Sequence, residues 1–300
     1  MERVGLVTRS EIDVLTPQSI DEALDILHHD ETGIKIVAGG SDVIVQLRDG
    51  IIKTNKLLNI LSLKELRFIK HVDNRIHIGA LSTYSNIIHH EITRKHGWVL
   101  VEAAKQIGAI QLQNTATIGG NLGNASPAGD SLPPLYALDA TVGTRSKSGK
   151  REIPIEEFFV GYRKTALKQD ELIEEVYFDA LGPNDRAAYL KMGLREANAI
   201  SIVDVAVVLR DRSLDNSFRK IRIALGAVAP TIKRARRCEQ ELVNKPLTME
   251  RIEKASALAL DDAAPIDDIR GSAEYRKALL VSLVFQALHK AALGTVKPDE

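Results

Sequence analysis

Residues 115–137 read TATIGGNLGNASPAGDSLPPLYA, with adjacent glycines, two asparagines, a Ser-Pro and an Ala-Gly-Asp, and no Lys, Arg, Glu or aromatic before Tyr136. The run is too small and too loop-prone for ordinary core. Gly119 and Gly120 carry no Cβ, so the backbone there can come close to a polar ligand and offer successive N–H groups to its oxygens. A second tract, IKIVAGGSDVIVQLRDG from Ile34, repeats the device: an apolar β-type run ends at Gly39-Gly40 and is followed by Ser41 and Asp42. Two such turns predict a ligand with two ends. The alternative is that the glycines serve only tight turns between strands.

Neither tract contains GxGxxG, and TRSKSGKR, despite its Gly149-Lys150, lacks the upstream glycine and the Ser/Thr of a P-loop. These absences leave a clamp in which the amides of two loops, and not one helix dipole, hold a pyrophosphate. No Lys or Arg lies within IGGNLGNASPAGDS, so charge neutralisation there rests on amide hydrogen bonds.

Composition sets wider bounds. A chain of 300 residues, 44% apolar and 27% charged, has the make-up of a globular protein of one or two domains. Forty basic and forty acidic residues cancel, which gives no footprint for nucleic acid or an anionic membrane; KRARR at 233–237 reads as a solvated helix face. MERVGLVTRSEID has neither a long apolar region nor a small-residue cleavage site, and no stretch gives 18 consecutive apolar residues. The expectation is a cytoplasmic protein without a membrane span. The single Cys238 excludes an internal disulfide and an iron–sulfur cluster held by this chain alone, and reads as a bystander thiol. His28-His29, His89-His90 and His96 lack HExxH spacing, so no metal site is expected.

Along the chain, Ser19 precedes DEALDILHH, a short helix, and IKIVAGG follows as a strand, giving a compact β-α-β start. The pieces KLLNI, LRFIKHVDN and RIHIGA read as short strands, the last two joined by an Asp73-Asn74 hairpin turn. TYSNIIHHEITRKHGWVLVEAAKQIG reads as helical with Ser82 or Thr83 as N-cap, and ALDATVGTRSKSGKREIPIEEF as a hairpin with a Ser-Gly turn. A strand at ELIEEVYF closes the region, and LGPNDR at 181–186 marks a boundary or long turn. Beyond it, SIVDVAVVLR and FRKIRIALGAVA are strands, followed by helices at TMERIEKASALALDDA and SAEYRKALLVSLVFQALHKAAL. The apolar stripe of the last helix reads as core packing or a subunit contact.

AGGSD at 38–42, TIGGNLGNASPAGDSLPPLYALDA at 117–140, FFVGYRKTALKQDELI at 158–173, YLKMGLREANAISIVDVAVVL at 189–209 and DIRGSAEYRKAL at 268–279 together resemble the FAD-binding medium subunit of molybdenum hydroxylases. This is the family of carbon monoxide dehydrogenase medium chains and the flavin domain of xanthine dehydrogenase. The resemblance runs in order over nearly the whole chain. It implies an α+β fold: a two-lobed FAD-binding domain of the vanillyl-alcohol-oxidase kind over 1–180, with lobes of about 1–55 and 56–180. A carbon monoxide dehydrogenase flavoprotein C-terminal-like domain follows over 181–300, with a three-stranded antiparallel sheet and a helical bundle.

By position, the resemblance implies a first pyrophosphate loop of Ile36, Val37, Ala38, Gly39, Gly40, Ser41, Asp42 and Val43, and a second of Thr117, Ile118, Gly119, Gly120 and Asn121. Asn124, Ser126 and Asp130 sit where the family contacts the pyrophosphate and sugar portions, Asp130 as acceptor for a sugar hydroxyl. Ile107 falls near the adenine, where the xanthine dehydrogenase domain has an aromatic. Ile173 and Lys191 match positions that approach the isoalloxazine, where a lysine stabilises the negative charge of the reduced ring.

Neither glycine tract has a His or Cys for covalent attachment, so the FAD is expected to be noncovalent. The branch typified by the beta subunit of 4-hydroxybenzoyl-CoA reductase carries a cysteine-rich insertion that this chain lacks. The resemblance implies an electron-transfer subunit whose FAD takes electrons from the two [2Fe–2S] clusters of a small partner and delivers them to an external acceptor. A large partner carries molybdopterin and binds substrate, and the whole is a dimer of heterotrimers. The rival readings are a stand-alone flavin-dependent oxidoreductase and a flavin-free assembly protein.

Overall fold

The computed structural model describes residues 12–293; the stretch MERVGLVTRSE read above for a leader, and residues 294–300 of the second domain, lie outside them. The first lobe runs β1 (Asp13–Leu15), α1 (Ile20–His28), β2 (Lys35–Val37), α2 (Val43–Arg48) and β3 (Lys56–Asn59). Its strands are parallel in the order β1-β3-β2, with Ile36 opposite Leu58. Ser19 caps α1 by accepting the Glu22 amide at 3.1 Å, and Ala23, Leu24 and Leu27 bury the inner face against Leu58, Leu63 and Leu66.

Asp30 ties the loop between α1 and β2. Its carboxylate accepts from the Thr32 hydroxyl and amide (2.6 and 3.0 Å) and from the Ile34 amide (2.6 Å). Burial pushes this carboxyl up, but the Thr32 hydroxyl and the amides of Ile34, Thr32 and Gly33 outweigh that and bring it down to about 2. A lowered native pKa means that the stabilisation is complete above the unfolded value near 4 and is lost as pH falls toward about 2. The protection of the Ile34 amide relative to its intrinsic exchange rate is therefore expected to fall across that interval in the wild type, and to stay constant across it in Asp30→Asn.

The second lobe is built on β4 (Ile69–Val72) and β5 (Arg75–Gly79), followed by the helices α3 (Tyr84–His89), α4 (Glu91–His96), α5 (Trp98–Ala104), α6 (Ile110–Thr115), α7 (Ile118–Asn124) and α8 (Leu132–Ala137). Then come β6 (Thr141–Ser146), β7 (Gly149–Pro154), α9 (Ile155–Phe158), the small ribbon β8 (Phe159–Gly161) and β9 (Lys164–Thr165), and β10 (Leu172–Asp179). Five strands form an antiparallel sheet in the order β4-β5-β10-β6-β7. Asp73 and Asn74 both take positive φ (48° and 61°), the geometry of the expected hairpin turn. Thr83, not Ser82, is the N-cap of α3, in a capping box with Asn86; the Ser82 hydroxyl instead donates to the Phe68 carbonyl.

Two expectations change here. The helix read from TYSNII to KQIG is broken into three, because His90 is extended (ψ 130°) and its ring nitrogen caps α4, while Gly97 leaves helical geometry where Phe178 packs against it. The glycine-rich tract is not a loop throughout. Thr117 caps α7, Pro133 and Pro134 fall in the first turn of α8, and Ala125 at φ 49° ends α7.

The last third runs β11 (Arg186–Gly193), β12 (Ser201–Arg212), β13 (Phe218–Gly226), β14 (Lys233–Arg234), α10 (Arg236–Leu242), α11 (Met249–Ala257) and α12 (Ala273–Leu293). The antiparallel sheet has the order β11-β12-β13-β14, one short strand more than the three implied by resemblance. That fourth strand is the KR of KRARR. The solvated helix face expected there holds for Arg236 and Arg237, exposed at the start of α10, and is corrected for the first two residues: Lys233 and Arg234 pair with Leu225 and Ala224, and Arg234 is buried among carboxylates.

Every residue from Ser201 to Leu209 is buried, because β12 is covered on both faces. Ala206 and Val208 join the core of the second lobe, while Val205, Val207 and Leu209 meet Leu280, Val284, Ala287 and Leu288 of α12. The stripe on α12 is therefore core packing. Cys238 lies in the same helical core, where burial pushes its thiol up, the inert state expected of a bystander. Among the described residues no group of histidines, cysteines and carboxylates could hold a metal, and no helix is long and apolar enough to cross a membrane.

Candidate functional site

A cavity of about 230 Å³ lies where the first tract, α7 and the start of β10 meet. From the first tract, Ile36 and Ala38 through Val43 line it; from the second, Thr117, Gly119, Gly120, Asn121 and Asn124; and from β10, Ile173. Residues 80 positions apart in the chain thus share one wall.

The two tracts do different work. At the first, Gly40 turns with φ +71°, and a Cβ on Gly39 would sit 1.8 Å from the Thr115 carbonyl oxygen, so only glycine lets this loop lie against the end of α6. Among the described residues, no protein acceptor takes the amides of Gly40, Ser41, Asp42 or Val43, and the Asp42 side chain makes no cap bond. That leaves a short row of donors on the cavity wall, suited to the oxygens of an anion.

At the second tract the amides are spent within the protein. Ile118 donates to the Ser82 carbonyl at 3.1 Å, Gly119 to the Ala80 carbonyl at 2.9 Å, and Gly120 to the Thr117 hydroxyl at 3.1 Å. The expectation that Gly119-Gly120 would present free N–H groups is corrected. Gly119 instead allows close approach: its Cβ would stand 2.6 Å from the Ala80 Cβ. This half of the wall offers side chains, Asn121 and Asn124 among them. Asn124 Oδ1 accepts from Gln46 Nε2 (2.8 Å) and Arg163 Nη1 (3.1 Å), which ties α2 to α7 across the cavity.

Positive charge, absent from the second tract itself, arrives from elsewhere in the chain. Lys35 and Lys168 both line the cavity, beside Glu171. Burial pushes the Glu171 carboxyl up, but Arg151 holds it low through bonds of 2.8 and 2.7 Å, helped by the Lys168 amide at 2.8 Å. Glu171 thereby anchors the loop that carries Lys168. Lys35, Lys168, Gln46 and Arg163 were not among the expected site residues, and their only sequence signal is adjacency: Lys35 precedes Ile36, and Lys168 lies in the block FFVGYRKTALKQDELI.

Six expected residues lie off this cavity. Val37 and Ile118 are buried in the cores of their lobes, because their strand and helix positions face inward. Ser126 accepts the Ala128 amide at 3.3 Å in a local turn, and Ile107 packs on the second-lobe core next to Gln106. Asp130 and Lys191 find each other: Lys191 Nζ donates to Asp130 Oδ2 at 2.5 Å, with both side chains under a tenth exposed. The other two protons of the ammonium go to the carbonyls of Gln106 (3.0 Å) and Ala199 (2.9 Å), and Ser201 Oγ donates to Asp130 Oδ1 at 2.6 Å. The expected free carboxylate for a sugar hydroxyl is thus already the partner of a lysine. Lys191 borders a second cavity, of about 410 Å³, formed with Gln106 and the 192–199 loop.

A row of unclaimed amides, two lysines beside it and apolar walls of Ile36, Ile60, Leu172 and Ile173 suit a dinucleotide with a pyrophosphate and a flat apolar ring. Comparisons with known proteins agree. Residues 10–178 match the FAD binding domain in molybdopterin dehydrogenase, and residues 187–291 match the CO dehydrogenase flavoprotein C-terminal domain. The chain is similar to the nicotinate dehydrogenase FAD-subunit of Eubacterium barkeri, with 34% identity over 89% of this chain and 91% of that one. It is 30% identical to the carbon monoxide dehydrogenase medium chain of Hydrogenophaga pseudoflava over 92% of this chain and 95% of that one. A solved carbon monoxide dehydrogenase from the same organism superposes with a TM-score of 0.90 at 29% identity, covering 94% of this chain and 97% of that one. With residues 12–178 folded around an amide-lined cavity and residues 187–291 matching the companion domain, this chain belongs to the family of FAD-binding subunits of molybdopterin dehydrogenases.

Proposed function

We infer that this chain is the FAD-carrying, electron-transferring medium subunit of a molybdenum hydroxylase, with a large and a small subunit as partners. The observation that carries the reading is the row of amides from Gly40 to Val43 without protein acceptors, facing a cavity that Lys35 and Lys168 also line. When bound, FAD takes electrons from the iron–sulfur clusters of the small partner and passes them to an external acceptor.

The chain's own residues would bind and orient the cofactor. The first tract would hold the pyrophosphate by amide donors, with the two lysine ammoniums neutralising its charge. Ile173 would pack against the ring. Lys191 is paired with Asp130, so its charge reaches a nearby ring only in part, a damping that the resemblance alone did not convey. The division at 180/181, the dimer of heterotrimers and a cytoplasmic location belong to the same proposal, supported by the resemblance and by the absence of a membrane-spanning helix among the described residues.

The test is reconstitution of the purified chain with FAD. One FAD per folded chain, released on denaturation, is expected. Lys168→Met should weaken binding about tenfold, near 1.4 kcal/mol, the size of one charge-assisted contact. A folded chain that takes up no FAD would defeat the reading and favour a flavin-free assembly protein. Bleaching of the bound flavin by a small-molecule substrate, without partner subunits, would favour a stand-alone oxidoreductase.

A further inference from the structure

Between the two domains, beneath α8, lies a second buried carboxylate that the cofactor reading does not use. Asp204 sits on the face of β12 that carries Ala206 and Val208 toward the second lobe, and it is fully buried. Its sheet neighbours are Lys191 on β11 and Gly226 on β13. A Cβ on Gly226 would stand 1.9 Å from Asp204 Oδ1, so this glycine makes the room that the carboxyl group fills. Among the described residues Oδ1 has no hydrogen-bond partner, and Oδ2 has one, the Tyr189 hydroxyl at 3.0 Å.

The charges here do not balance if every group takes its usual form. Among the described residues Lys191 is the one cation in contact with the cluster, and its ammonium is spent on Asp130 and two carbonyls, although it lies directly across from Asp204 in the sheet. The other groups that face the cluster are neutral: Tyr189 on β11, Ser201 at the start of β12, Pro133 on α8, and Tyr84 on α3, whose hydroxyl bonds Ser131. An ionised Asp204 would be a dry carboxylate with one donor and a bare oxygen, an arrangement that burial strongly disfavours.

We propose that Asp204 holds a proton at neutral pH and forms, with Tyr189, the neutral side of a buried cluster whose charged side, Asp130 and Lys191, it positions. Protonated on Oδ2, Asp204 donates to the Tyr189 oxygen. The tyrosine's own hydrogen is then released from Asp204 and turns toward the nearby negative charge of Asp130, which Lys191 and Ser201 hold. Oδ1 becomes a neutral carbonyl oxygen, which tolerates an apolar wall far better than a carboxylate does. Lys191 is then matched by one negative charge and not two.

The direction of the titration shifts agrees with this geometry. Burial and the neighbouring Asp130 charge push Asp204 well above the usual carboxylate range, against the pull of the Tyr189 bond and of Lys191. Burial also raises Asp130, but Lys191 and Ser201 hold it back. A raised native pKa means that the folded chain binds an extra proton above the unfolded value near 4, so this group's contribution falls as pH rises through that window. Asn cannot titrate, and Asp204→Asn should therefore gain stability relative to wild type as pH rises from about 4 to 7.

The deciding experiment is infrared spectroscopy of the full chain labelled with carboxyl-¹³C aspartate, and it needs no flavin. A protonated-carboxyl C=O band that shifts with the label is expected at neutral pH, lost in Asp204→Asn and displaced in Tyr189→Phe. No such band in the wild type, a band that survives Asp204→Asn, or one unmoved by Tyr189→Phe would overturn the proposal. Where Asp204→Asn fails to fold, a band absent from the wild type or unmoved by Tyr189→Phe still overturns the proposal, as does a band lost in Asp130→Asn, where it is expected to persist.

Discussion

Gly39→Ala is expected to abolish FAD retention. The new Cβ would lie 1.8 Å from the Thr115 carbonyl oxygen and 2.7 Å from its carbon, both main-chain atoms at the end of α6. No side-chain rotation relieves that contact, so the loop from Gly39 to Val43 must part from the second lobe. Overpacking of this kind costs about 1–3 kcal/mol or more, and the displaced loop is the one that carries the unclaimed amides. A loss of FAD affinity of about a hundredfold or greater follows if half of that row is misplaced. The comparison is Gly33→Ala, where φ is +76° but nothing lies within 4 Å of the new Cβ: it should strain the backbone and leave flavin stoichiometry intact. FAD content per folded chain, with circular dichroism to verify folding, measures both. Full occupancy in Gly39→Ala would show that the cavity is not the cofactor's site.

The second large effect is expected at Arg234. Its Nε and Nη2 each donate at 2.6 Å to Glu239, and its Nη1 reaches Glu156 (2.7 Å) and Asp139 (3.1 Å). Glu156 and Asp139 belong to the second lobe and Glu239 to α10, so one guanidinium joins the two domains. Asp139 also takes Arg222 at 2.8 Å and Lys220 at 2.7 Å; burial pushes its carboxyl up, and these cations outweigh that and lower it. Glu239 accepts the Ile223 amide at 2.7 Å besides, and it is only 7% exposed, so removing Arg234 strands a buried carboxylate. Arg234→Met is expected to cost about 3–5 kcal/mol in chemical denaturation. Arg234→Met with Glu239→Gln should recover part of that, because the stranded charge is gone. A cost below about 1 kcal/mol for the single variant would mean that water reaches Glu239 and that the clasp is a surface pair.

What could be read in advance was mostly local chemistry. Asp73-Asn74 announced a hairpin because those residues accept positive φ, Ser82 or Thr83 announced a helix start because either hydroxyl could cap it, and SIVDVAVVL announced a strand. Each signal operates within a few residues of backbone. The helix read from TYSNII to KQIG broke because its interruptions depend on distant neighbours, as Phe178 does in packing against Gly97. The site divides along the same line. The double glycines marked where two chain segments approach closely, but which amides remain free depends on carbonyls supplied by Ala80 and Ser82, far from the second tract in sequence.

From residue types and their order came the two glycine turns of a dinucleotide clamp, the exclusion of Rossmann, P-loop and cluster chemistry, and the resemblance to a flavin-carrying family, which in turn implied the α+β class. Only the tertiary structure decided that the first turn carries the free donors, that Lys35 and Lys168 line the cavity, that Lys191 is spoken for by Asp130, and that KRARR holds an interdomain clasp. The physical reason is one of range. Backbone conformation is governed by a residue and its near neighbours, whereas the state of a donor or a charge depends on what else is buried within hydrogen-bond reach, and that is set by the fold as a whole.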